Sequence, residues 1–329
     1  PLLSVAVMAL NEEQNIGRFL RSVFVALEGL DAEVVLVDSG STDGTVEVAS
    51  QHPIHIYQVR EDWPKGTGPV IYTAVLKSSG KYIHYIDADV EVDPGWFKCA
   101  VSYLDAHPDT AAVAGQWIHL GQTGGLVDRI QTHMEKLDQV KSGITGGPHL
   151  FRSEVLHETN FNPYLPGGIE IDLAIRLQAK GHVMERLPEP MLTHHDHPTN
   201  AWRFLVKAYK RYGRGIGYGM RYALSDSTLL RAYVKALRRR LLVVGWLVAI
   251  SVSLLLWALL NTLWPVWIVL LAGIAAFAWP MLKSKSLVEG GFRRLRDIFW
   301  ALGFMRGFLR RPRPVAGFPD DPILHKRGG

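Results

Sequence analysis

Two stretches without a single charge, Leu241 to Leu260 and Leu263 to Leu282, constrain this 329-residue chain more than any other feature. As helices, each is long enough to cross a hydrocarbon core of about 30 Å. Asn261-Thr262 separates them, and Trp246, Trp264, Trp267 and Trp279 suit the two interfaces of a bilayer. Arg238 to Arg240 before the pair and Lys283 and Lys285 after it put both ends on the cytoplasmic side. The pair is expected as a transmembrane hairpin over residues 241–282. The competing reading, two helices buried in a globular core, asks for successive uncharged runs of a length rare in soluble folds.

The first two hundred positions have the composition of an ordinary soluble domain. Hydrophobic residues make up 48% of the chain and charged ones 20%, which excludes a disordered protein and allows a sizeable core. Lys and Arg number 36 against 31 Asp and Glu, a net charge of +5, with the excess in Lys207 to Arg214, Arg238 to Arg240 and Lys283 to Arg311. Basic stripes beside apolar runs point to anionic lipid and not to nucleic acid. Cys99 is the only cysteine, so no intramolecular disulfide can form and a reducing compartment is implied. Its bland role is that of a small buried hydrophobe. Pro1 to Leu10 lacks the basic start and cleavage site of a secretory signal and reads as a strand.

From the start, Leu2 to Ala9 reads as a strand, and Asn11-Glu12-Glu13 opens a helix with Ile16, Phe19, Leu20, Val23 and Leu27 at helical spacing. Strands follow at Glu33 to Val37, Ile54 to Val59 and Lys81 to Ile86. This rhythm predicts an open, largely parallel α/β sheet. Ligands of such sheets bind at the carboxyl ends of the strands, where Asn11, Asp38, Asp87 and Asp89 would gather. Between Gly115 and Leu192 the pattern loosens, with a turn at Gly146-Gly147, a loop from Pro163 to Gly168, and a helix from Glu170 to Ala179 stopped by Gly181. Trp202 to Tyr212 predicts a surface helix. Phe292, Leu295, Ile298, Phe299, Leu302, Met305, Phe308 and Leu309 predict an interfacial one, with Arg293, Arg294, Arg306 and Arg310 around them. The expected layout is an α/β domain over 1–200, amphipathic juxtamembrane helices over 201–240, two membrane helices over 241–282, and an interfacial helix with a basic tail over 283–329.

Asp87-Ala88-Asp89, at the end of an apolar strand, sets two hard oxygen ligands close together, as suits Mg²⁺ or Mn²⁺ bridging a diphosphate. Strand-end aspartates are also turn and cap residues, so the weight of the pair comes from its company. Ser4 to Glu13 (SVAVMALNEE), Val37 to Thr45 (VDSGSTDGT) and Ile86 to Asp89 (IDAD) resemble, in order and spacing, the nucleotide-sugar motifs of the family 2 inverting glycosyltransferases, which have the GT-A fold, a Rossmann-like nucleotide-diphospho-sugar transferase architecture. The resemblance implies that Glu12 and Asp38 contact the nucleoside, that Asp87 lies near ribose or metal, and that Asp89 holds the metal. Leu10, Asn11, Ser39, Lys65 and Ala88 complete the donor site it implies, and Arg211, with Lys207, Lys210 and Arg214, can meet diphosphate or lipid phosphate. Carboxylates accept from ribose hydroxyls or a base N–H, and a cation offsets the diphosphate charge.

The resemblance extends to Gly146-Gly147-Pro148 with Phe151-Arg152, and to Ile169 to Leu177 (IEIDLAIRL). The family's usual Glu-Asp-x-Asp-Leu pattern carries its general base at the position of Glu170, and Ile169 replaces the preceding Glu. Glu170 is therefore the expected base, Asp172 the reserve, and Arg176 a partner for a nearby carboxylate. Thr193-His194-His195-Asp196-His197 is the densest cluster of potential metal ligands; either His194 or His195 can complete a site begun by Asp87 and Asp89. With no cysteine beside it, an autonomous zinc site is disfavoured. The Gln-x-x-Arg-Trp signature of processive synthases is absent, which favours transfer of one sugar per acceptor.

The leading expectation is a Mn²⁺- or Mg²⁺-dependent inverting transferase. It would take a nucleotide-diphosphate sugar, with uridine diphosphate the commoner donor in the family. The acceptor would be a lipid-linked or other saccharide, with membrane lipids as partners and no nucleic acid, at the cytoplasmic face of a bacterial or archaeal inner membrane. A polyprenyl-phosphate transferase, whose acceptor needs no base, and a non-enzymatic nucleotide-sugar-binding membrane scaffold stand beside it. A nucleotidyltransferase is disfavoured because no Gly-rich phosphate loop opens the chain.

Overall fold

The computed structural model describes residues 1–120, 125–128, 147–195, 200–261, 263, 264, 266–271, 273 and 286–328. Two compact units result, one from 1–123, 135–198 and 313–329, the other from 124–134 and 199–312.

Among the described residues of the first unit, nine strands form one sheet, in the order β5-β8-β6-β7-β4-β1-β2-β3-β9. β1 (Leu3–Ala9), β2 (Ala32–Asp38), β3 (His55–Gln58) and β4 (Tyr82–Asp87) pair in parallel. Every residue of β1 is buried, as a central parallel strand covered on both faces requires. α1 (Glu13–Ala26) lays Ile16, Phe19, Leu20 and Val23 on the sheet, and Leu27 follows them into the core. α2 (Thr45–Ala49), α3 (Thr67–Leu76) and α4 (Trp96–Ala106) complete this half.

Beyond β4 the pairing is mixed, with one further parallel pair, Thr110–Leu120 against Val183–His195. β7 (Leu150–Arg152) runs antiparallel to both β4 and β6 (Thr110–Leu120), and β5 (Val90–Val92) runs antiparallel to β8 (Val183–His195). β9 (Ile323–Lys326) covers the far edge, antiparallel to β3. The sheet is therefore mixed. α5 (Ser153–Glu158) follows β7, and α6 (Ile169–Ala179) starts from Gly168 in the left-handed region (φ 69°) and is stopped at Gly181 (φ 86°).

In the second unit, α7 (Ala201–Lys207) passes through a π-helical turn, Ala208–Gly213, into α8 (Arg214–Tyr222). α9 (Ser227–Leu260) has 34 residues, and the Asp226 side chain caps it by accepting from the Thr228 and Leu229 amides. Among the described residues it is the helix long and apolar enough to cross a membrane. The expected span 241–260 is thus the second part of a longer helix that already holds Arg238 to Arg240. Asn261 ends it in the left-handed region (φ 51°). Of the expected second span, the described residues include Val269, whose carbonyl accepts from Trp246 Nε1 at 3.0 Å. Thr262, Lys283, Lys285 and most of that run lie outside the described residues.

α10 (Leu287–Phe308) differs from the expected interfacial stripe. Leu295, Leu302 and Leu309 are exposed, but Phe299 packs edge-on against Trp202 (5.7 Å) and Phe292 stacks on Phe204 (6.1 Å). Its buried face combines Trp300 and Phe304 with Gly290, Ala301, Gly303 and Gly307. A Cβ on Gly213, Gly217, Gly303 or Gly307 would run into the backbone of Trp300, Phe304, Tyr209 or Arg214, respectively. Two Gly-x-x-x-Gly segments thus bring these helix backbones into contact, and the neighbouring aromatics are drawn into the unit.

Candidate functional site

The register of the parallel strands sets the site. Ala9 pairs with Asp38 and Met8 with Asp87, so the turns leaving β1, β2 and β4 emerge side by side at one edge. The first two turns are bonded to each other. The Asn11 amide donates to Ser41 Oγ (2.9 Å), Asn11 Oδ1 accepts from the Thr42 amide (2.9 Å), and the Glu12 amide donates to Thr45 Oγ1 (2.7 Å). Asn11 holds this exchange in the left-handed region (φ 56°), which its short polar side chain tolerates. Glu12 Oε2 accepts from Asn15 Nδ2 at 2.7 Å.

Asp38 is fully buried. Its Oδ2 accepts from the amides of Gly40 (2.9 Å) and Ser41 (2.8 Å) and from Gln58 Nε2 (3.2 Å), and its Oδ1 from the Ser41 hydroxyl. This carboxylate thereby organises the turn that carries Ser39. Around the same edge Leu10, Lys65 and Asp87 are exposed, Ala88 is buried, and Glu12, Ser39 and Asp89 are half-buried.

The antiparallel β5–β8 pair separates the two histidines that the sequence left open. Val90 pairs with His194, whose Nε2 lies 3.6 Å from Asp89 Oδ2. His195 Nε2 instead bonds Glu91 Oε1 at 2.5 Å, and Arg18 Nε reaches the same oxygen at 3.1 Å. Adjacent ligands of an octahedral Mg²⁺- or Mn²⁺-sized ion lie about 3 Å apart, so Asp89 and His194 fit a shared cation with little adjustment. Among the described residues no group of three His, Cys, Asp or Glu side chains is close enough to form a protein-only metal cluster. The donor set present thus suits a hard ion that takes further oxygens from diphosphate or water.

Tyr85 connects this corner to α6. Its buried hydroxyl donates to the Gly147 carbonyl, and its pKa is raised well above the ordinary value by burial, then by the Glu170 and Asp87 carboxylates. Both carboxylates therefore act on the same hydroxyl. Glu170 is half-buried in the first turn of α6. Asp172, the reserve base, is 1% exposed and paired with Arg176 Nε at 2.8 Å, while Arg176 Nη1 donates to the Asn160 carbonyl at 2.8 Å. That pair holds the helix to its neighbouring loop. Arg211 is exposed in the π-helical turn of the second unit.

Sequence reasoning missed Gln58, the partner of Asp38, and the Arg18–Glu91–His195 group. For the latter the sequence offered no local signal, since Asp89 lies in the turn between β4 and β5, ahead of the strand that carries Glu91. For Gln58 the sequence offered none, since nothing local ties it to Asp38.

A family model described as glycosyl transferase family 2 matches residues 4–159. A dolichol-phosphate mannosyltransferase of Pyrococcus furiosus is 24% identical over 203 residues, 56% of this chain and 55% of that protein. A glucosyl-3-phosphoglycerate synthase of Mycolicibacterium smegmatis is 31% identical over 97 residues, 28% of this chain and 32% of that protein. The matched segment thus spans about half of the first relative and a third of the second. Among solved structures, the glucosyl-3-phosphoglycerate synthase of Mycobacterium tuberculosis, in complex with Mn²⁺, uridine diphosphate and phosphoglyceric acid, superimposes with a TM-score of 0.51 at 21% identity, over 70% of this chain and 78% of that one. That likeness is one of fold, the GT-A arrangement.

Proposed function

Because residues 4–159 are a glycosyl transferase family 2 domain, we propose that the chain is a membrane-attached inverting transferase that moves one sugar from a nucleotide-diphosphate donor to a hydroxyl of a lipid-linked saccharide. The observation that supports this reading is a pair of local arrangements: Glu170 and Asp87 both act on the Tyr85 hydroxyl, and Asp89, two residues beyond Asp87, lies 3.6 Å from His194. Glu12, Asp38 and Ser39, with Leu10, Asn11, Lys65 and Ala88, would receive the donor, and Arg211 a phosphate. Held by Asp87, Asp89 and His194, Mn²⁺ or Mg²⁺ would offset the charge of the diphosphate and of the nucleoside diphosphate that leaves. The Mycobacterium tuberculosis structure with Mn²⁺ and uridine diphosphate supports that donor class.

Glu170 takes the proton of the acceptor hydroxyl as that oxygen bonds to the anomeric carbon; the bond from this carbon to the diphosphate breaks on the opposite face, which inverts the centre. Asp172, committed to Arg176, orients the helix that presents Glu170. α9, whose length and composition suit a membrane span, would anchor the enzyme, and the catalytic unit would face the cytoplasm. The Pyrococcus relative, named for dolichol phosphate, favours a second reading in which the acceptor is an already ionised phosphate.

Membranes bearing the chain, given radiolabelled nucleotide sugars and Mn²⁺, are expected to form a labelled product. In Glu170→Gln the rate should fall about 10²- to 10⁴-fold with Mn²⁺–nucleotide binding retained. A Glu170→Gln rate within a few-fold of wild type, with Asp172→Asn also active, assigns the phosphate acceptor instead. Absence of transfer with every donor, despite nucleotide binding, returns the chain to a binding scaffold.

A further inference from the structure

The segment 313–328 follows the helices of the second unit in sequence, yet it is built into the first. Phe318 is 7% exposed and sits among the rings of Trp63 (4.9 Å), Tyr72 (5.3 Å) and Tyr164 (5.6 Å). Asp320 pairs with Lys77 at 2.8 Å and Asp321 with Arg60 at 3.1 Å. β9 then zips along β3, and Lys326 Nζ donates to the carbonyls of Ser50 and His52, both at 2.6 Å. These anchors lie between Ser50 and Lys77 or on Tyr164. This stretch contains the loop that leaves β3 for α3 and carries Lys65.

One of these contacts continues to Asp38. Gln58 Nε2 donates to Asp38 Oδ2, which fixes the orientation of its amide and leaves Oε1 facing away. His325 Nε2 lies 2.7 Å from that Oε1, so the ring must carry its proton on Nε2 and donate. The result is a relay, His325 to Gln58 to Asp38, ending on the carboxylate that gathers the Gly40 and Ser41 amides. A carboxylate held from two sides keeps one rotamer, and the turn it organises keeps one shape.

We propose that segment 313–328 is a strap belonging to the donor site, in which His325 is a positioning residue that acts through Gln58 on Asp38, and Phe318, packed on Trp63, positions the Lys65 loop. This rests on the proposed donor role of the Asp38 turn. Its ligand class is a nucleoside diphosphate. Because the same chain segment joins the strap to the helices of the second unit, donor affinity would depend on residues far from the donor in sequence.

The test uses the full chain in detergent. His325→Ala should raise amide exchange at Gly40 and Ser41 roughly fivefold, the effect of losing about one net hydrogen bond, without raising exchange in β1. Titrated with UDP or GDP in Mn²⁺, the variant should bind about tenfold more weakly, and in the transfer assay the donor KM should rise while kcat stays within twofold. His325→Gln, which retains a donor for Gln58, should restore both readouts, and Phe318→Ala should raise exchange in residues 60–66. Unchanged exchange at Gly40 and Ser41 in His325→Ala overturns the relay whatever the nucleotide does. Raised exchange with nucleotide affinity equal to wild type reduces the strap to a structural edge and overturns its role in the donor site. Failure of the wild type to bind either nucleotide overturns the donor assignment itself, and the exchange arm shows that separately.

Discussion

His194 and His195 are neighbours in sequence, but one residue of strand moves a side chain to the opposite face of the sheet. His194 thereby meets Asp89, and His195 meets Glu91 with Arg18. If His194 is a cation ligand, His194→Ala should raise the Mn²⁺ concentration for half-maximal activity at least tenfold, while His195→Ala shifts it less than threefold; a Mn²⁺ titration of transfer rate decides, and equal shifts would remove the distinction. The same logic separates the carboxylates of α6. Asp172→Asn leaves the Arg176 guanidinium, 17% exposed, without its counter-charge, so its main cost is stability, about 3 kcal/mol. Urea unfolding should report that loss with donor KM little changed, and an activity loss without destabilisation would make Asp172 the base. Candidate residues were legible in the sequence where a motif carried them, as for Glu170 and Asp89. The choice between His194 and His195 was not, because it depends on the register of β5 against β8, which strand composition does not encode.

Among elements, the parallel strands were readable because each is a continuous apolar run bounded by a polar turn. β9 was not. Ile323–Lys326 is four residues long, and its partner β3 is far away in the chain, so no local pattern announces the pairing. Helix α10 was found as a helix, but the backbone contacts of its Gly303 and Gly307 were not legible, since hydrophobic periodicity ranks glycine as neutral while close helix contact requires it. This gives a graded prediction. Gly217→Ala, whose Cβ meets the Phe304 backbone, should cost about 1–3 kcal/mol through forced separation of the helices. Gly245→Ala, in the interior of α9 with nothing within 4 Å, should stabilise by roughly 0.5–1 kcal/mol through helix propensity. Thermal unfolding in one detergent compares them. Similar effects of both substitutions would mean that the crossing in the second unit does not depend on its glycines.

For the molecule as a whole, pH acts through two histidines that the proposed chemistry does not use. His84, on β4, is fully buried between Trp96 and Phe97, and burial, followed by the neighbouring His149, pulls its pKa to about 3. His149 is 2% exposed, and burial takes it to about 4, with Arg186 adding to the shift and its bond to the Gly147 carbonyl opposing it. In the unfolded chain both rings protonate near pH 6.5. Between that pH and about 4 the unfolded state therefore binds two protons that the folded state refuses, so stability falls as pH drops, by about 1.4 kcal/mol per pH unit for each ring. Above pH 6.5 neither ring is protonated in either state and the contribution is flat. Below about 3 the folded state protonates too, and the slope from this source ends. Because the groups are bases with depressed values, the loss lies on the acid side. His84→Phe, which keeps a ring between the two aromatics, should remove one proton from the slope. Urea midpoints of the full chain in detergent at pH 7, 6, 5 and 4.5, followed by amide exchange in β4, test this. A variant whose midpoint falls as steeply as the wild type over that range would show that His84 is not the group being titrated.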